Sequence, residues 1–121
     1  MKIMIVDDNP IARTMLRSMF EISGHAVAAE AETLPGALEN YRAHKPDLTT
    51  LDLSLAGANN GLVILKALRA LDPKARVLIV SGNAQKRILE ETRAAGASGF
   101  LPKPFNLDEL TAAVKAMGLS A

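Results

Sequence analysis

Short apolar runs recur along the chain: Ile3 to Val6, Ala26 to Ala29, Leu48 to Leu51, Val77 to Val80 and Gly99 to Leu101. Each is aliphatic or β-branched and only a few residues long, so each predicts a strand. Between them the apolar spacing changes. Ile11, Met15, Leu16, Met19 and Phe20 fall on one side of a helix. Leu62, Leu65, Leu68 and Leu71 do the same, as do Leu107, Leu110, Val114 and Met117. That period of three and four residues is the mark of an amphipathic helix.

The punctuation agrees. Asn9 is a good N-cap, and Pro10 takes the first helical position, where a missing N–H costs nothing. Asn106 with Glu109 makes a capping box with Asn in the cap role. Gly24, Gly96 and Gly118 follow helical stretches as C-terminal caps do, and Pro46 and Pro73 sit just past helix ends. Strands alternating with helices predict an α/β protein of about five β/α units, its parallel sheet covered on both faces. Val77 to Val80 lacks alternation, as a fully buried strand requires.

In such a sheet, ligands gather at the carboxyl ends of the strands. The first strand ends in Asp7-Asp8, the third in Asp52 and the fourth in Ser81, while the fifth runs into Lys103. Taken singly, these are a polar strand end, a turn cap, a turn serine and a solvated lysine. Taken together, they bring carboxylates, a hydroxyl and an amine to one edge. Carboxylates so placed repel one another, and a hard divalent cation resolves the repulsion. Mg²⁺ suits a site with few carboxylates and room for phosphate oxygens. A carboxylate beside it can attack phosphorus, and metal, ammonium and hydroxyl then stabilise the charge that develops.

Composition narrows the choices. With 121 residues the chain fits one domain, and at 49% hydrophobic it can bury a sizeable core, aliphatic because aromatics are only 3%. There is no cysteine, which excludes disulfides and thiolate metal sites. His25 and His44 map to the opposite edge of the sheet as surface residues, so zinc does not suit the acidic edge. Met15, Met19 and Met117 fit core faces. The net charge of +1 gives no basic excess for nucleic acid. The apolar N-terminal run is too short for a signal core or a membrane span, so a cytoplasmic location without membrane insertion is expected.

Several segments in order carry a resemblance: Ile5-Val6-Asp7-Asp8, Lys45-Pro46-Asp47-Leu48 through Leu51-Asp52-Leu53, Val80-Ser81-Gly82, Ala95-Gly96-Ala97-Ser98-Gly99-Phe100 and Lys103-Pro104-Phe105. Together they make the whole chain, 1–121, resemble a single receiver domain of the response regulators of two-component signalling systems. The resemblance implies a flavodoxin-like (βα)5 doubly wound five-stranded parallel sheet of order 2-1-3-4-5. It implies that Asp52 is the phosphoacceptor, and that Asp7, Asp8, Asp52 and the backbone carbonyl of Ser54 hold Mg²⁺. Ser81 and Phe100 become the switch pair, Lys103 pairs with the phosphoryl group, and the bond before Pro104 is cis. Asn83 and Ser54 take the positions that tune acyl-phosphate lifetime.

The implied function is a phosphorylation-dependent switch, not an enzyme beyond its own phosphorylation and dephosphorylation. Its donor is a phosphohistidine on a histidine kinase or histidine phosphotransfer protein, and it acts on a downstream protein target. By the same analogy the first helix forms much of the donor's docking face. Ile11, Arg13 and Met15 cannot all be core, which leaves some of them for that contact. Lys86, Arg87 and Leu89 read first as an ordinary solvated face, with an output face as the alternative. Homodimerisation through the fourth helix, fifth strand and fifth helix fits the family without being demanded by any residue.

The sequence departs from the family after the third strand. Leu55-Ala56 stands where a Met-Pro pair is usual, and the stretch from Ala56 to Gly61 is one residue longer. That departure supports one alternative, a phosphate-independent pseudo-receiver; two others stand beside it, a receiver fragment of a larger regulator and an aspartyl-nucleophile phosphatase of the haloacid-dehalogenase type. The last wants a second carboxylate two residues after the nucleophile, where Ser54 stands.

Overall fold

The computed structural model describes residues 1–54 and 61–119. The departures from the family at Leu55-Ala56 and along the following stretch fall on residues 55–60, outside the described residues. Ten elements alternate: β1 Lys2–Val6, α1 Pro10–Ile22, β2 Ala26–Ala31, α2 Leu34–His44, β3 Leu48–Asp52, α3 Gly61–Leu71, β4 Val77–Ser81, α4 Lys86–Ala94, β5 Gly99–Pro102 and α5 Leu107–Ala116. The strands form one parallel sheet of order β2-β1-β3-β4-β5, the flavodoxin-like arrangement expected.

The caps explain where the helices begin. The Asn9 side chain accepts from the Ile11 and Ala12 amides at 2.9 and 3.3 Å, ahead of Pro10. Asn106 and Glu109 close a reciprocal capping box at 2.8 and 3.0 Å. Gly24, Gly96 and Gly118 all have positive φ, which ends their helices at little cost. Lys45 does the same for α2 at φ 46°, a left-handed conformation for a residue with a Cβ.

Strand alternation splits the core between the two sheet faces. Ile3 and Ile5 face Leu16 and Phe20 of α1 and Leu110 and Val114 of α5. Met4 and Val6 face Ala37 and Tyr41 of α2 and Ile64, Leu65 and Leu68 of α3. Leu71 lies at the surface. Tyr41 Oη donates to Asp72 at 2.7 Å, joining α2 to the end of α3.

On α1 the structure corrects the pattern reading. Leu16 and Phe20 are buried, but Ile11 is 72% exposed and Met15 53%. Successive residues turn by about 100°, so a five-residue apolar set is wider than the seam that touches the sheet. Met15 is therefore not core, whereas Met19 and Met117 pack against it. His25 is half-buried against the edge of Phe20 rather than fully at the surface, and burial lowers its pKa. His44 is exposed.

The central strand β3 is buried throughout, yet it contains Thr49 and Thr50. Neither hydroxyl has a hydrogen-bond partner among the described residues. Valine keeps the branched shape and removes the polar atom. Thr50→Val is therefore expected to stabilise the fold by ~1 kcal/mol, read as a higher urea midpoint with an unchanged slope. A lower midpoint would show that the hydroxyl is satisfied.

Candidate functional site

Five chain segments meet at the carboxyl edge of the sheet. β1 leads into Asp7, 1% exposed, whose amide extends the ladder by donating to the Ala31 carbonyl at 3.0 Å. The Asp7 Oδ1 accepts the Asn9 N–H at 2.8 Å, so the residue that caps α1 also orients the acid. Asp8 follows, half-buried. β3 ends in Asp52, 6% exposed, whose Oδ1 accepts the Ser54 N–H at 2.9 Å. β4 ends in Ser81, fully buried, whose Oγ accepts the Asn83 N–H at 3.1 Å. The Lys103 amide donates to the Ser81 carbonyl at 2.9 Å, which carries the β4–β5 pairing one residue past β5.

Lys103 joins the acids. Its Nζ lies 3.4 Å from Asp7 Oδ2 and 3.3 Å from Asp52 Oδ2. Asp7, Asp8 and Asp52 each present a carboxylate oxygen within 4.8 Å of the others. Among the described residues, the Lys103 ammonium thus stands against a cluster of three carboxylates. Burial raises the Asp7 pKa above 3.8 and the Asp52 charge adds to it, while the Asn9 amide and Lys103 pull it down. This cluster is all oxygen and short of positive charge, a donor set that fits a hard divalent cation better than a softer one.

The Lys103–Pro104 bond is cis. Gly61 is the other backbone feature of the edge. A Cβ there would lie 2.5 Å from the Asp52 carbonyl oxygen and 2.6 Å from Leu53 Cα, so only glycine lets α3 start this close to the end of β3.

The remaining sequence candidates sit further out. Ser54 is exposed beside Asp52, and a cavity of about 210 Å³ opens between Ser54, Ser81, Leu62, Ile88 and Thr92. Phe100 is half-buried on β5 and lines a separate cavity with Leu89, Thr92 and Gly99, so Thr92 borders both. Lys86 and Arg87 are exposed, 4.0 and 3.6 Å from Glu90 and Glu91, as on a solvated helix face. Ile11 and Met15 share a groove with Lys103, Pro104 and Phe105 beside the acids. Arg13 is not on that exposed face. It is 14% exposed and tied to Glu30 and Glu32, a network the sequence pattern did not bring out because it crosses from α1 to β2.

Fold and site define a doubly wound α/β protein with an acidic pocket at the carboxyl ends of the paired strands β1 and β3, which lead into helices on opposite faces of the sheet. Comparison with known proteins specifies the class further. The model of the response regulator receiver domain matches residues 3–115. The chemotaxis protein CheY of Bacillus subtilis is 34% identical over 113 residues, covering 93% of both chains. A response regulator from Burkholderia pseudomallei, solved with a phosphorylated aspartic acid, a calcium ion and citrate, is 31% identical with a TM-score of 0.82, covering 93% of this chain and 65% of that one. The CheX–CheY–BeF3–Mg²⁺ complex from Borrelia burgdorferi shares the fold at a TM-score of 0.92 and 23% identity, covering 98% of this chain and 90% of that one. The chain belongs to the response regulator receiver family of two-component systems, whose members are signalling domains rather than ordinary enzymes. No helix among the described residues is long and apolar enough to cross a membrane.

Proposed function

We propose that residues 1–121 act as one phosphoacceptor module of a two-component phosphorelay, taking a phosphoryl group from a phosphohistidine onto Asp52. The observation that carries this reading is the position of Lys103 between Asp7 and Asp52, with Asp8 in the same cluster. The phosphorylated aspartic acid of the Burkholderia pseudomallei relative supports it. Asp7, Asp8, Asp52 and the Ser54 carbonyl are the ligands we assign to Mg²⁺. When bound, Mg²⁺ supplies positive charge for the phosphoryl oxygens.

In this reading the Asp52 carboxylate attacks phosphorus, the P–N bond to the protonated donor ring breaks with its electron pair going to nitrogen, and the ring leaves as neutral imidazole, keeping the proton already on its other nitrogen. Burial and the Ser54 amide hold one Asp52 oxygen in place, leaving the other to react. Lys103, freed from bridging the two acids, stabilises the transferring oxygens. Ser81 leaves the Asn83 amide to bond the new phosphoryl group, and Phe100 moves toward the cavity beside Thr92. The new charge selects that arrangement, and a few kcal/mol of differential stabilisation suffices. The α4–β5–α5 face then reads out the change to a downstream protein. The exposed Ile11 and Met15, next to Lys103, form the face on which the kinase or phosphotransfer protein docks. A cytoplasmic setting suits this role.

Beryllofluoride tests the reading, because it mimics the bound phosphoryl group without transfer. With Mg²⁺ present, amide signals of residues 52–54, 81–83, 99–101 and 103 are expected to shift together. Shifts confined to Asp7 and Asp8, or none, would leave a phosphate-independent module.

A further inference from the structure

A cation is packed directly behind the acid pair. Arg13 lies in the first turns of α1, yet its side chain is almost enclosed, at 14% exposure. Its Nη1 donates to the backbone carbonyl of Asp7 at 2.7 Å. Its Nε meets Glu30 at 3.0 Å and its Nη2 meets Glu32 at 2.8 Å. Arg17, one turn further along, also binds Glu30. One planar fork therefore ties the peptide between Asp7 and Asp8 to β2 and to the residues that follow it.

The location matters because the ladder ends here. The Asp7 amide still pairs with Ala31, but β1 has ended at Val6 and α1 starts only at Pro10. The tilt of the Asp7–Asp8 peptide decides where the Asp8 carboxylate points relative to Asp52, and the Arg13 bond restrains that tilt. A guanidinium spreads its donors in fixed directions over several nitrogens and so reaches a carbonyl and two carboxylates at once, whereas an ammonium gathers all its donors on one atom. An uncompensated cation this near would oppose a divalent ion. Glu30 and Glu32 face the guanidinium, so it delivers a hydrogen bond with little net positive field.

Resting on the reading of the acid cluster as a Mg²⁺ site, we infer that Arg13 is a positioning residue that sets Mg²⁺ affinity by fixing the peptide between Asp7 and Asp8, with Glu30 and Glu32 holding it in register. Partners one shell out from a metal commonly change affinity by about 10–100-fold when lost.

Charge and geometry predict opposite signs, which makes the test decisive. By charge alone, Arg13→Met binds Mg²⁺ more tightly and Arg13→Lys binds it unchanged. By positioning, both bind it about tenfold or more weakly, and the Asp8 amide signal moves in the metal-free spectrum. The experiment is a Mg²⁺ titration of the full chain followed by amide NMR. Arg17→Met serves as a control that removes an ion pair to Glu30 but leaves the Arg13–Asp7 bond, and its affinity is expected to match the parent's. If Arg13→Met does not fold, Arg13→Lys carries the comparison. Tighter or equal binding in the Arg13 variants, or equal weakening in Arg17→Met, overturns the inference alone. A parent chain whose Asp7 and Asp8 amides ignore Mg²⁺ overturns the metal reading beneath it.

Discussion

Replacing Lys103 by alanine is expected to slow phosphoryl transfer to Asp52 by about 10²–10³-fold, the cost of losing one preorganised charge donor. Its Nζ sits 3.3 Å from Asp52 and 3.4 Å from Asp7, longer than a locked charge-assisted bond of about 2.7–2.9 Å. The ammonium is therefore shared between two acids and available to a third partner. Its loss also leaves Asp7 without the cation that lowers its pKa, so the metal-free chain is expected to lose stability at neutral pH. The transfer effect is read as the single-turnover rate with acetyl phosphate at saturating Mg²⁺. A rate close to the parent's would remove Lys103 from the mechanism.

Asp7→Asn has the second large effect, and it acts in two directions. Asparagine keeps an oxygen for the Asn9 amide but brings no charge to the cluster. Mg²⁺ affinity is expected to fall by at least the ~10–100-fold typical of losing an outer-shell partner. The metal-free protein, in contrast, is expected to become more stable. Burial raises the folded pKa of Asp7 above its unfolded value of 3.8. Between those two values the folded state binds the proton more tightly, so parent stability declines as pH rises and stays lowered above the folded pKa. Asparagine escapes that penalty. Its advantage is expected to be largest above the folded pKa and to vanish as pH falls through that pKa toward 3.8, each kcal/mol being worth about 4 °C in melting temperature. Saturating Mg²⁺ should reverse the order of the two proteins. A less stable Asp7→Asn chain without metal at neutral pH would contradict this account.

The strands were legible because each is a short aliphatic run bounded by clear caps. Asn9-Pro10 and the Asn106–Glu109 box mark helix starts by chemistry that acts within a few residues. The acids, Ser81 and Lys103 could be placed on one edge because parallel strands all end there. What the pattern missed depends on contacts across the fold. Periodicity put Ile11 and Met15 on the buried side of α1 because it records apolarity, not which part of a wide face meets the sheet. Arg13 reads as a surface cation in sequence. Its burial depends on Glu30 of β2 and Glu32 just beyond it. The Thr49-Thr50 pair in β3 reads as ordinary strand propensity, and only the sheet order puts it at the centre with both faces covered. The contact of Gly61 with the Asp52 carbonyl is likewise set by tertiary approach rather than by turn chemistry.

In the proposed switch Asp52 itself carries the phosphoryl group. Intact-protein mass measured after incubation with acetyl phosphate and Mg²⁺ addresses it directly. The parent is expected to gain one phosphoryl group, lost on treatment with hydroxylamine as an acyl phosphate should be, and a chelator should block the gain. Asp52→Asn is expected to gain nothing under the same conditions. An Asp52→Asn protein that acquired the same mass, with the same lability, would contradict the assignment.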